Sequence, residues 1–296
     1  MALEFQRLTY ALGARVQGLD LTQPLDTDTV AKIRQAWLEH QVLVFPDANI
    51  TPEHQLQFSA YFAPLEDYPL VHYRLPGYPK IFLLSNRDHQ GRPSETRNAA
   101  RHWHSDLSFT SKPAMGSILK SIEIPDVGGT TVWANQTMAY DTLSESFKRL
   151  IDPLTAVHEL FSKTRDLKNL DQGQIRDMKK ANPRVVQPVV RVHDETGRKA
   201  LYVSVAVTTQ IVGMSQDESD AILNFLFAHQ TQYQLTYRHS WKPNEMVMWD
   251  NRCTLHMAVA DNDHEQARIM HRTTLVGQPC GEVLQEDHTA DTQVMQ

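Results

Sequence analysis

Residues 185–207, VVQPVVRVHDETGRKALYVSVAV, decide the fold class. Two runs rich in valine and other apolar residues, 185–192 and 200–207, lie on either side of the polar sequence His193-Asp-Glu-Thr-Gly197. A polar turn with a glycine between two strand-like runs is typical of an antiparallel hairpin. The stretch therefore favours antiparallel strands over the βαβ units of a parallel sheet.

Further strand-like runs are spread along the rest of the chain, with helical segments between them. The runs cover residues 42–45, 80–84, 116–124, 130–134, 245–249 and 272–276. Helical periodicity predicts helices over 28–40, 52–62, 140–151 and from Gln216 onwards. Their predicted N-caps are Thr27 or Asp28, Thr51 and Ser215. This pattern predicts a mostly β fold with flanking helices, in which a jelly roll (double-stranded β-helix) forms the core.

The composition is that of an ordinary globular domain. The chain has 296 residues, of which 41% are hydrophobic and 22% charged. No linker or internal repeat divides it, so we predict a single domain over residues 1–296. Residues 160–183 are polar and weakly periodic, which predicts a long mobile excursion over a pocket.

Charge and cysteine content exclude several classes of function. A formal net charge of -6 argues against nucleic acid as a partner, because such binding usually needs a clustered basic face. No apolar run approaches the roughly 18 residues of a membrane span, and the start of the chain lacks a signal-peptide stretch. We therefore expect a cytoplasmic protein with no membrane partner. Since Cys253 and Cys280 cannot form a cysteine-rich zinc site, a bound metal must be held by histidine and carboxylate.

Two places carry the His-x-Asp/Glu spacing that such a metal site can use, because residues two apart on a strand point to one side. His193-Asp-Glu195 lies in the polar turn, where we predict a solvated loop. His104-Ser-Asp106 lies between Trp103 and Leu107, apolar neighbours that can exclude bulk water. Taken alone, such a pair is more often hydrogen-bonded than metal-binding, so a further ligand is needed.

His256 is the candidate for the third ligand. It follows an apolar strand and a turn, Met246-Val-Met-Trp-Asp-Asn-Arg-Cys-Thr-Leu-His256, where a core histidine bonded to a carbonyl is the alternative. With His104 and Asp106 it would complete a 2-His-1-carboxylate triad, which leaves one face of an iron ion open for O₂ and a bidentate co-substrate. The same ligands suit zinc with a bound water, so a zinc hydrolase is the alternative enzyme.

Two arginines follow in the next strand-like run. Arg268 and Arg272, in Arg268-Ile-Met-His-Arg272, are an even number of residues apart and would point the same way on a strand. Two guanidinium groups on one face of an apolar strand are costly unless they meet anions. The alternative is a rim position at which both charges are solvated.

These residues resemble the taurine dioxygenase group of iron(II)/2-oxoglutarate enzymes, which includes alkylsulfatases and aryloxyalkanoate dioxygenases. The resemblance covers nearly the whole chain, from Gly13-Ala-Arg-Val-Gln-Gly18 to His271-Arg-Thr-Thr274. The most specific motifs are Trp103-His-Ser-Asp106, Pro125-Asp-Val-Gly-Gly-Thr-Thr-Val-Trp133, Trp249-Asp-Asn-Arg252 with His256, and Arg268-Ile-Met-His-Arg272.

The resemblance implies a jelly-roll fold, a dimer or tetramer of identical chains, and a site that uses Fe(II), 2-oxoglutarate and O₂. In that site His104, Asp106 and His256 would be the catalytic iron ligands. Arg268 and Thr131 would bind the distal carboxylate of 2-oxoglutarate. The implied reaction hydroxylates a small substrate and releases succinate and CO₂.

The resemblance further implies that Arg272 faces the anionic end of the substrate. Tyr68 and Ala100 stand where the taurine enzyme has a histidine and an asparagine, and His72 lies nearby in the sequence. The other positions expected to line the pocket are aliphatic: Leu107, Leu160 and Val207. Arg272 is retained, but the polar residues that would contact the amine of taurine are not, which argues against taurine as the substrate.

We therefore expect a small anionic substrate with an apolar body, such as an alkyl sulfate, an alkyl sulfonate or an aryloxyalkanoate. Hydroxylation next to the heteroatom would give a product that fragments. Taurine itself is the alternative substrate. A jelly-roll protein that binds anions without a redox metal is the non-catalytic alternative.

Overall fold

The computed structural model describes residues 2–67, 73–88, 91–92, 101–160, 172–259, 261–263 and 265–284. The helices of this part of the chain are α1 Thr27–His40, α2 Pro52–Ala60, α3 Gln136–Asp141, α4 Glu145–Ile151, α5 Gln172–Ala181 and α6 Gln216–His229. The strands are β1 Glu4–Arg7, β2 Ala14–Gln17, β3 Val42–Phe45, β4 Arg74–Leu75, β5 Tyr78–Ser85, β6 Gly116–Glu123, β7 Thr131–Asn135, β8 Thr155–His158, β9 Val185–Pro188, β10 Val190–Val192, β11 Lys199–Leu201, β12 Thr208–Ile211, β13 Thr236–His239, β14 Met246–Asp250, β15 Thr254–Ala258, β16 Ile269–Leu275 and β17 Glu282–Val283. The predicted mostly β class with flanking helices is confirmed.

Eight strands form the largest sheet, in the order β1-β2-β3-β14-β6-β16-β5-β4. Its neighbours pair antiparallel, apart from the parallel pair of β2 with β3. Every residue of β14 is buried, which explains why an apolar run without alternation marked this strand in the sequence. Helix α1 covers one face of the sheet with the fully buried Ile33 and Trp37.

A second layer packs against the other face of the large sheet. The three-stranded sheet β13-β7-β15 contributes Trp133, whose ring centroid lies 5.6 Å from that of Trp249 in β14. Val42 and Val44 belong to this buried cluster, whereas Leu43 belongs to the cluster under α1, as strand alternation requires. Two further sheets, β12-β8-β9-β17 and the hairpin β10-β11, complete the arrangement. Layers packed in this way are the predicted jelly-roll architecture.

Helix starts were predicted well where a capping box is present. Helices α2 and α6 begin after Thr51 and Ser215, each of which forms a capping box with the third helical residue. The predicted cap of α1 is wrong, because Asp26 caps it and not Thr27 or Asp28. The carboxylate of Asp26 accepts a first-turn N–H, so one extra residue joins the helix.

Three other predicted segments differ in the structure. The helix predicted over 140–151 is split into α3 and α4, because the Ser144 hydroxyl caps a new helix start. The strand predicted over 200–207 stops at Leu201, and the Thr208 hydroxyl accepts the Ser204 N–H beyond it. Within the predicted excursion over 160–183, residues 172–181 form α5 and residues 161–171 lie outside the described residues. Its position over a pocket and the single-domain assignment stay predictions.

None of the helices in the described ranges is long and apolar enough to cross a membrane.

Candidate metal centre and co-substrate pocket

A turn brings His104 and Asp106 together. His104 pairs with His256 through two backbone hydrogen bonds of 3.0 and 2.8 Å, in an isolated bridge. The chain then turns, and Leu107 takes a φ of 57°, which is costly for a leucine. The prediction that the His-x-Asp pair lies on an extended strand is therefore wrong beyond His104. The side chains of His104 and Asp106 nevertheless come together with that of His256.

The side chains of His104, Asp106 and His256 form a cluster that could hold a metal ion, with their ligand atoms all within 4.8 Å of one another. Oδ1 of Asp106 lies 3.8 Å from Nε2 of His104, and Oδ2 lies 3.9 Å from Nε2 of His256. The carbonyl oxygen of His102 lies 2.8 Å from Nδ1 of His104, so a proton on Nδ1 leaves Nε2 free as a ligand. His102 thus contributes to the cluster through its backbone.

The electrostatics of this cluster favour a cation. Burial lowers the pKa of His256 well below its ordinary value and also lowers the pKa of His104. Burial alone would raise the pKa of Asp106, but the charge of Arg272, the imidazoles and the Ser117 hydroxyl hold it below its usual range. At neutral pH the cluster therefore offers two neutral imidazoles and one carboxylate, the protonation state that a divalent metal needs.

Two residues that sequence reasoning missed contact Asp106. The Ser117 hydroxyl donates to Oδ2 of Asp106 at 2.7 Å. The Asn251 side chain accepts from the backbone N–H of Asp106 at 3.3 Å and donates to Ser117 at 3.0 Å. Ser117 is marked in the sequence only as a serine inside the apolar run of β6, and Asn251 only as part of the motif Trp249-Asp-Asn-Arg252, which assigned it no role.

The predicted site for the distal carboxylate of 2-oxoglutarate lies at Arg268. Nε of Arg268 donates to the Gly129 carbonyl oxygen at 3.1 Å, and within the described ranges its side chain makes no other hydrogen bond. Desolvation lowers the pKa of Arg268 to about 10, and Asp261 offsets this only in part. Thr131 follows Gly129 by two residues, and its Oγ1 accepts from Nε1 of Trp241 at 3.0 Å, which leaves the hydroxyl proton free to be donated. A crowded guanidinium whose charge is offset only in part fits a carboxylate.

Arg272 lies between the metal cluster and an aromatic ring. Its Nη1 donates to Oδ1 of Asp106 at 3.0 Å, and its guanidinium carbon lies 5.0 Å from the centroid of the Phe82 ring. Its Nε is buried and, among the described residues, has no hydrogen-bond partner. The predicted substrate arginine is therefore partly engaged by a predicted metal ligand, while its buried Nε stays without a partner in the described part of the chain.

The predicted pocket wall is described in part. Leu107 follows Asp106 directly, and the N–H of Glu159 donates to the carbonyl oxygen of Val207 at 2.9 Å, which brings Leu160 next to Val207. Val207 is buried, whereas Leu107 and Leu160 are partly exposed. The other predicted pocket residues, Tyr68 and His72, lie outside the described residues, as does Ala100.

The second His-x-Glu stretch lies in a polar turn whose residues 194–198 are exposed, as predicted. The prediction of a solvated position is wrong for His193, which belongs to a buried ion-pair cluster. His193 is 3% exposed, and its Nε2 lies 3.0 Å from Oδ2 of Asp250. The Arg252 guanidinium donates to both oxygens of Asp250, at 2.9 and 2.7 Å. Although Cys253 is close enough to join them as a metal ligand, burial raises its thiol pKa well above normal and Arg252 already neutralises the carboxylate. This cluster is therefore structural.

Comparison with known proteins identifies the family. The taurine catabolism dioxygenase TauD, TfdA family matches residues 4–274. The chain belongs to this family. An alkylsulfatase of Acinetobacter baylyi is 33% identical over 282 residues, which cover 93% of this chain and 86% of that protein. An (S)-phenoxypropionate/alpha-ketoglutarate-dioxygenase of Sphingobium herbicidovorans is 31% identical over 293 residues, which cover 95% of this chain and 97% of that protein.

A solved relative supports the same identification. The crystal structure of AAD-2 in complex with Mn(II) and N-oxalylglycine has a TM-score of 0.84 and 31% identity, and covers 97% of this chain and 100% of that chain. N-Oxalylglycine carries two carboxylates at the spacing of 2-oxoglutarate. The TauD, TfdA protein described here is thus a dioxygenase that uses Fe(II), 2-oxoglutarate and O₂. The zinc hydrolase and the non-catalytic binding protein are set aside.

Proposed function

We propose that this enzyme hydroxylates a small organic anion with an apolar body, held by Arg272 next to an iron centre of His104, Asp106 and His256. Alkyl sulfates, alkyl sulfonates and aryloxyalkanoates are the substrate classes. The observation that carries the proposal is the position of Arg272, which contacts Asp106 and keeps a buried Nε without a partner among the described residues. A substrate anion at this guanidinium would lie beside the metal cluster.

The donor set supports iron as the metal. Two neutral imidazoles and one carboxylate leave one side of the ion open, which suits a bidentate co-substrate and O₂. When bound, the iron and 2-oxoglutarate supply the oxidising chemistry, and succinate and CO₂ are released. The chain's own contribution is to hold the three ligands in place: His104 and His256 through their shared backbone bridge, and Asp106 through Ser117.

The co-substrate is proposed to bind with its distal carboxylate at Arg268 and Thr131. An arginine fork can donate to both carboxylate oxygens, and the free hydroxyl proton of Thr131 adds a further donor. The lowered pKa of Arg268 supports this role, because a desolvated cation whose charge Asp261 offsets only in part gains stability from a bound anion. Gly129 leaves the room for the arginine stem, since a Cβ there would come within 3.3 Å of Cδ of Arg268.

The pocket wall supports an apolar substrate body over the amine of taurine. Leu107, Leu160 and Val207 carry no polar atom in their side chains, so they offer no partner to an ammonium group. The apolar ring of Phe82 lies under the Arg272 guanidinium. The names of the two curated relatives describe activity on an alkyl sulfate and a phenoxypropionate, which both combine an anion with an apolar body.

Hydroxylation at the carbon next to the heteroatom is proposed to make the product fragment. A hydroxyl and an ester or ether oxygen on one carbon form a hemiacetal-like group. This group collapses to a carbonyl compound and releases sulfate or a phenol, and an α-hydroxy sulfonate releases sulfite. With an alkyl sulfate or sulfonate the anion at Arg272 is the group that leaves, whereas with an aryloxyalkanoate the phenol leaves and the carboxylate at Arg272 stays on the carbonyl product.

Succinate formation tests the proposal. Purified protein is loaded anaerobically with Fe(II), given 2-oxoglutarate and O₂, and offered taurine, alkyl sulfates, alkyl sulfonates and aryloxyalkanoates in turn. We expect one of the three proposed classes to accelerate succinate formation above the taurine rate, and His104→Ala to abolish the acceleration. Acceleration by taurine alone would refute the proposed substrate class.

A matched pair of variants tests the role of Arg272. Arg272→Met should raise the substrate KM strongly, while Arg34→Met, which removes an ion pair with Glu195 elsewhere, should not. Because Arg272 also contacts Asp106, metal affinity is measured for both variants. An unchanged substrate KM in Arg272→Met would move the anion contact to another residue.

Assembly and compartment stay predictions. We propose a dimer or tetramer of identical chains that works in the cytoplasm. Light scattering on size-fractionated protein gives the particle mass, and a monomer at all concentrations would contradict the assembly.

A further inference from the structure

Asn251 is a fully buried residue in the turn between β14 and β15, and it uses all of its polar groups. Its backbone N–H donates to Met115, and its backbone carbonyl oxygen accepts from the Ser105 hydroxyl at 2.6 Å. Its side-chain Oδ1 accepts from Nε1 of Trp249 at 2.9 Å and from the backbone N–H of Asp106. Asn251, which lies in the turn that leads to His256, therefore holds both Ser105 and Asp106 of the segment that carries the other two predicted ligands.

The Asn251 side chain also fixes a hydrogen bond to the Asp106 carboxylate. The indole donor of Trp249 identifies Oδ1, so the other end of the amide is the NH₂ group, which can only donate. Nδ2 donates to the Ser117 oxygen at 3.0 Å. The single hydroxyl proton of Ser117 is therefore left for Oδ2 of Asp106, 2.7 Å away.

The two carboxylate oxygens of Asp106 are thus held from different directions. Oδ2 receives the Ser117 hydroxyl, and Oδ1 receives Nη1 of Arg272. Ser117 is fully buried in β6, a strand that pairs with both β14 and β16. The Ser117 contact therefore comes from the sheet interior and does not depend on a mobile surface group.

We propose that Asn251 and Ser117 are positioning residues that set metal affinity by fixing the orientation of the Asp106 carboxylate. The inference rests on the proposed metal ligands but not on the proposed substrate. Partners of this kind, which contact a ligand and not the metal, typically change metal affinity by about 10- to 100-fold when removed.

The first test compares two serine-to-alanine changes in one strand. Ser117 and Ser121 both lie in β6 and are both fully buried with a hydrogen-bonded hydroxyl, but Ser121 donates to the carbonyl oxygens of Lys242 and Glu245. Mn(II) binding to the full chain is measured by the electron paramagnetic resonance signal of the free ion, and thermal unfolding is followed in parallel. We expect Ser117→Ala to weaken Mn(II) binding about 10- to 100-fold and Ser121→Ala to leave it within about 2-fold, as expected for a site outside the network. Equal Mn(II) affinity in the two variants would overturn the proposal.

The second test asks whether Asn251 acts through Ser117. Asn251→Ala is combined with Ser117→Ala. The double variant is expected to bind Mn(II) no more weakly than Asn251→Ala alone, because without Asn251 the Ser117 hydroxyl proton is no longer directed towards Asp106. Fully additive losses would overturn the relay. If Asn251→Ala fails to fold, the comparison of Ser117→Ala with Ser121→Ala still decides the role of Ser117.

Failure of the proposed function can be told apart from failure of this inference. Mn(II) affinity needs no turnover, so a wild-type protein that binds Mn(II) tightly but ignores every substrate refutes only the substrate assignment. A wild-type protein with no Mn(II) affinity refutes the metal ligands themselves, and with them the positioning roles.

Discussion

Replacing Arg268 with methionine is expected to have opposite effects on co-substrate binding and on the stability of the apoprotein. Arg268 is crowded by protein, and in the described part of the chain the only hydrogen bond of its side chain goes to the carbonyl oxygen of Gly129. A cation in this position is destabilising until an anion arrives. Methionine keeps much of the apolar stem and removes the charge.

The lowered pKa of Arg268 gives the size of the effect. A shift from 12.5 to about 10 corresponds to about 3 kcal/mol of lost stabilisation of the charged form, at about 1.4 kcal/mol per tenfold change. A carboxylate that binds to the guanidinium recovers stabilisation of this order. Arg268→Met should therefore weaken 2-oxoglutarate binding by about 100-fold or more. It should leave the free energy of unfolding of the apoprotein unchanged or raise it.

Two measurements test this pair of effects. Calorimetric titration of the Mn(II)-loaded protein with N-oxalylglycine gives the affinity, and urea denaturation of the metal-free protein gives the stability. Arg34→Met is the matched control, since it removes a partly exposed arginine that pairs with Glu195 and should not change the affinity. An Arg268→Met protein that binds the ligand normally, or that loses more than about 2 kcal/mol of apoprotein stability, would show that Arg268 is a structural group.

Three further predictions concern other parts of the molecule. Burial lowers the pKa of His158 to about 4, so the unfolded chain takes up the proton first, and His158 alone should lower the free energy of unfolding by about 3 kcal/mol between pH 6.5 and 4; in urea denaturation, His158→Gln should reduce the pH dependence by this contribution and leave that of His271. Asp250→Ala leaves the buried Arg252 without its carboxylate and should cost about 3–5 kcal/mol in the same assay, and a loss below about 1 kcal/mol would contradict the role of the ion pair. Gly129→Ala should raise the KM for 2-oxoglutarate but not for substrate, because the new methyl group would lie 2.9 Å from Cγ of Pro125 and 3.3 Å from Cδ of Arg268, and φ there is +64°.

Much of the fold could be predicted from local signals. The apolar runs at β3 and β14 are buried strands, and the capping boxes at Thr51 and Ser215 start helices. Errors occurred where a side chain interrupts a regular pattern. Ser144 ends the run that suggested one long helix, and the bond of Thr208 to Ser204 ends a strand. Such competition between side chain and backbone leaves little trace in hydrophobic periodicity.

For the site too, residues with a local chemical signal could be predicted, whereas residues defined by long-range contacts could not. His104, Asp106 and His256 were chosen by ligand chemistry, and the structure gathers them into one cluster. Ser117 and Asn251 were missed because their partners lie 11 and 145 residues away in the sequence and depend on strand register. His193 was misread for the same reason, since its partner Asp250 comes from a strand end 57 residues later.

The turn that contains Asn251 shows how these long-range contacts support one another. Asp250 and Arg252, on either side of Asn251, bind the hairpin residues His193 and Glu195, whereas Asn251 binds the Asp106 segment. Buried ion pairs seldom add net stability over apolar packing, so their role here is better explained by the single conformation that they impose on the turn. That conformation lets Asn251 reach Asp106. Effects on stability and on metal affinity should therefore be separable. Removing Asp250 should mainly lower the free energy of unfolding, and removing the Ser117 hydroxyl should mainly weaken metal binding.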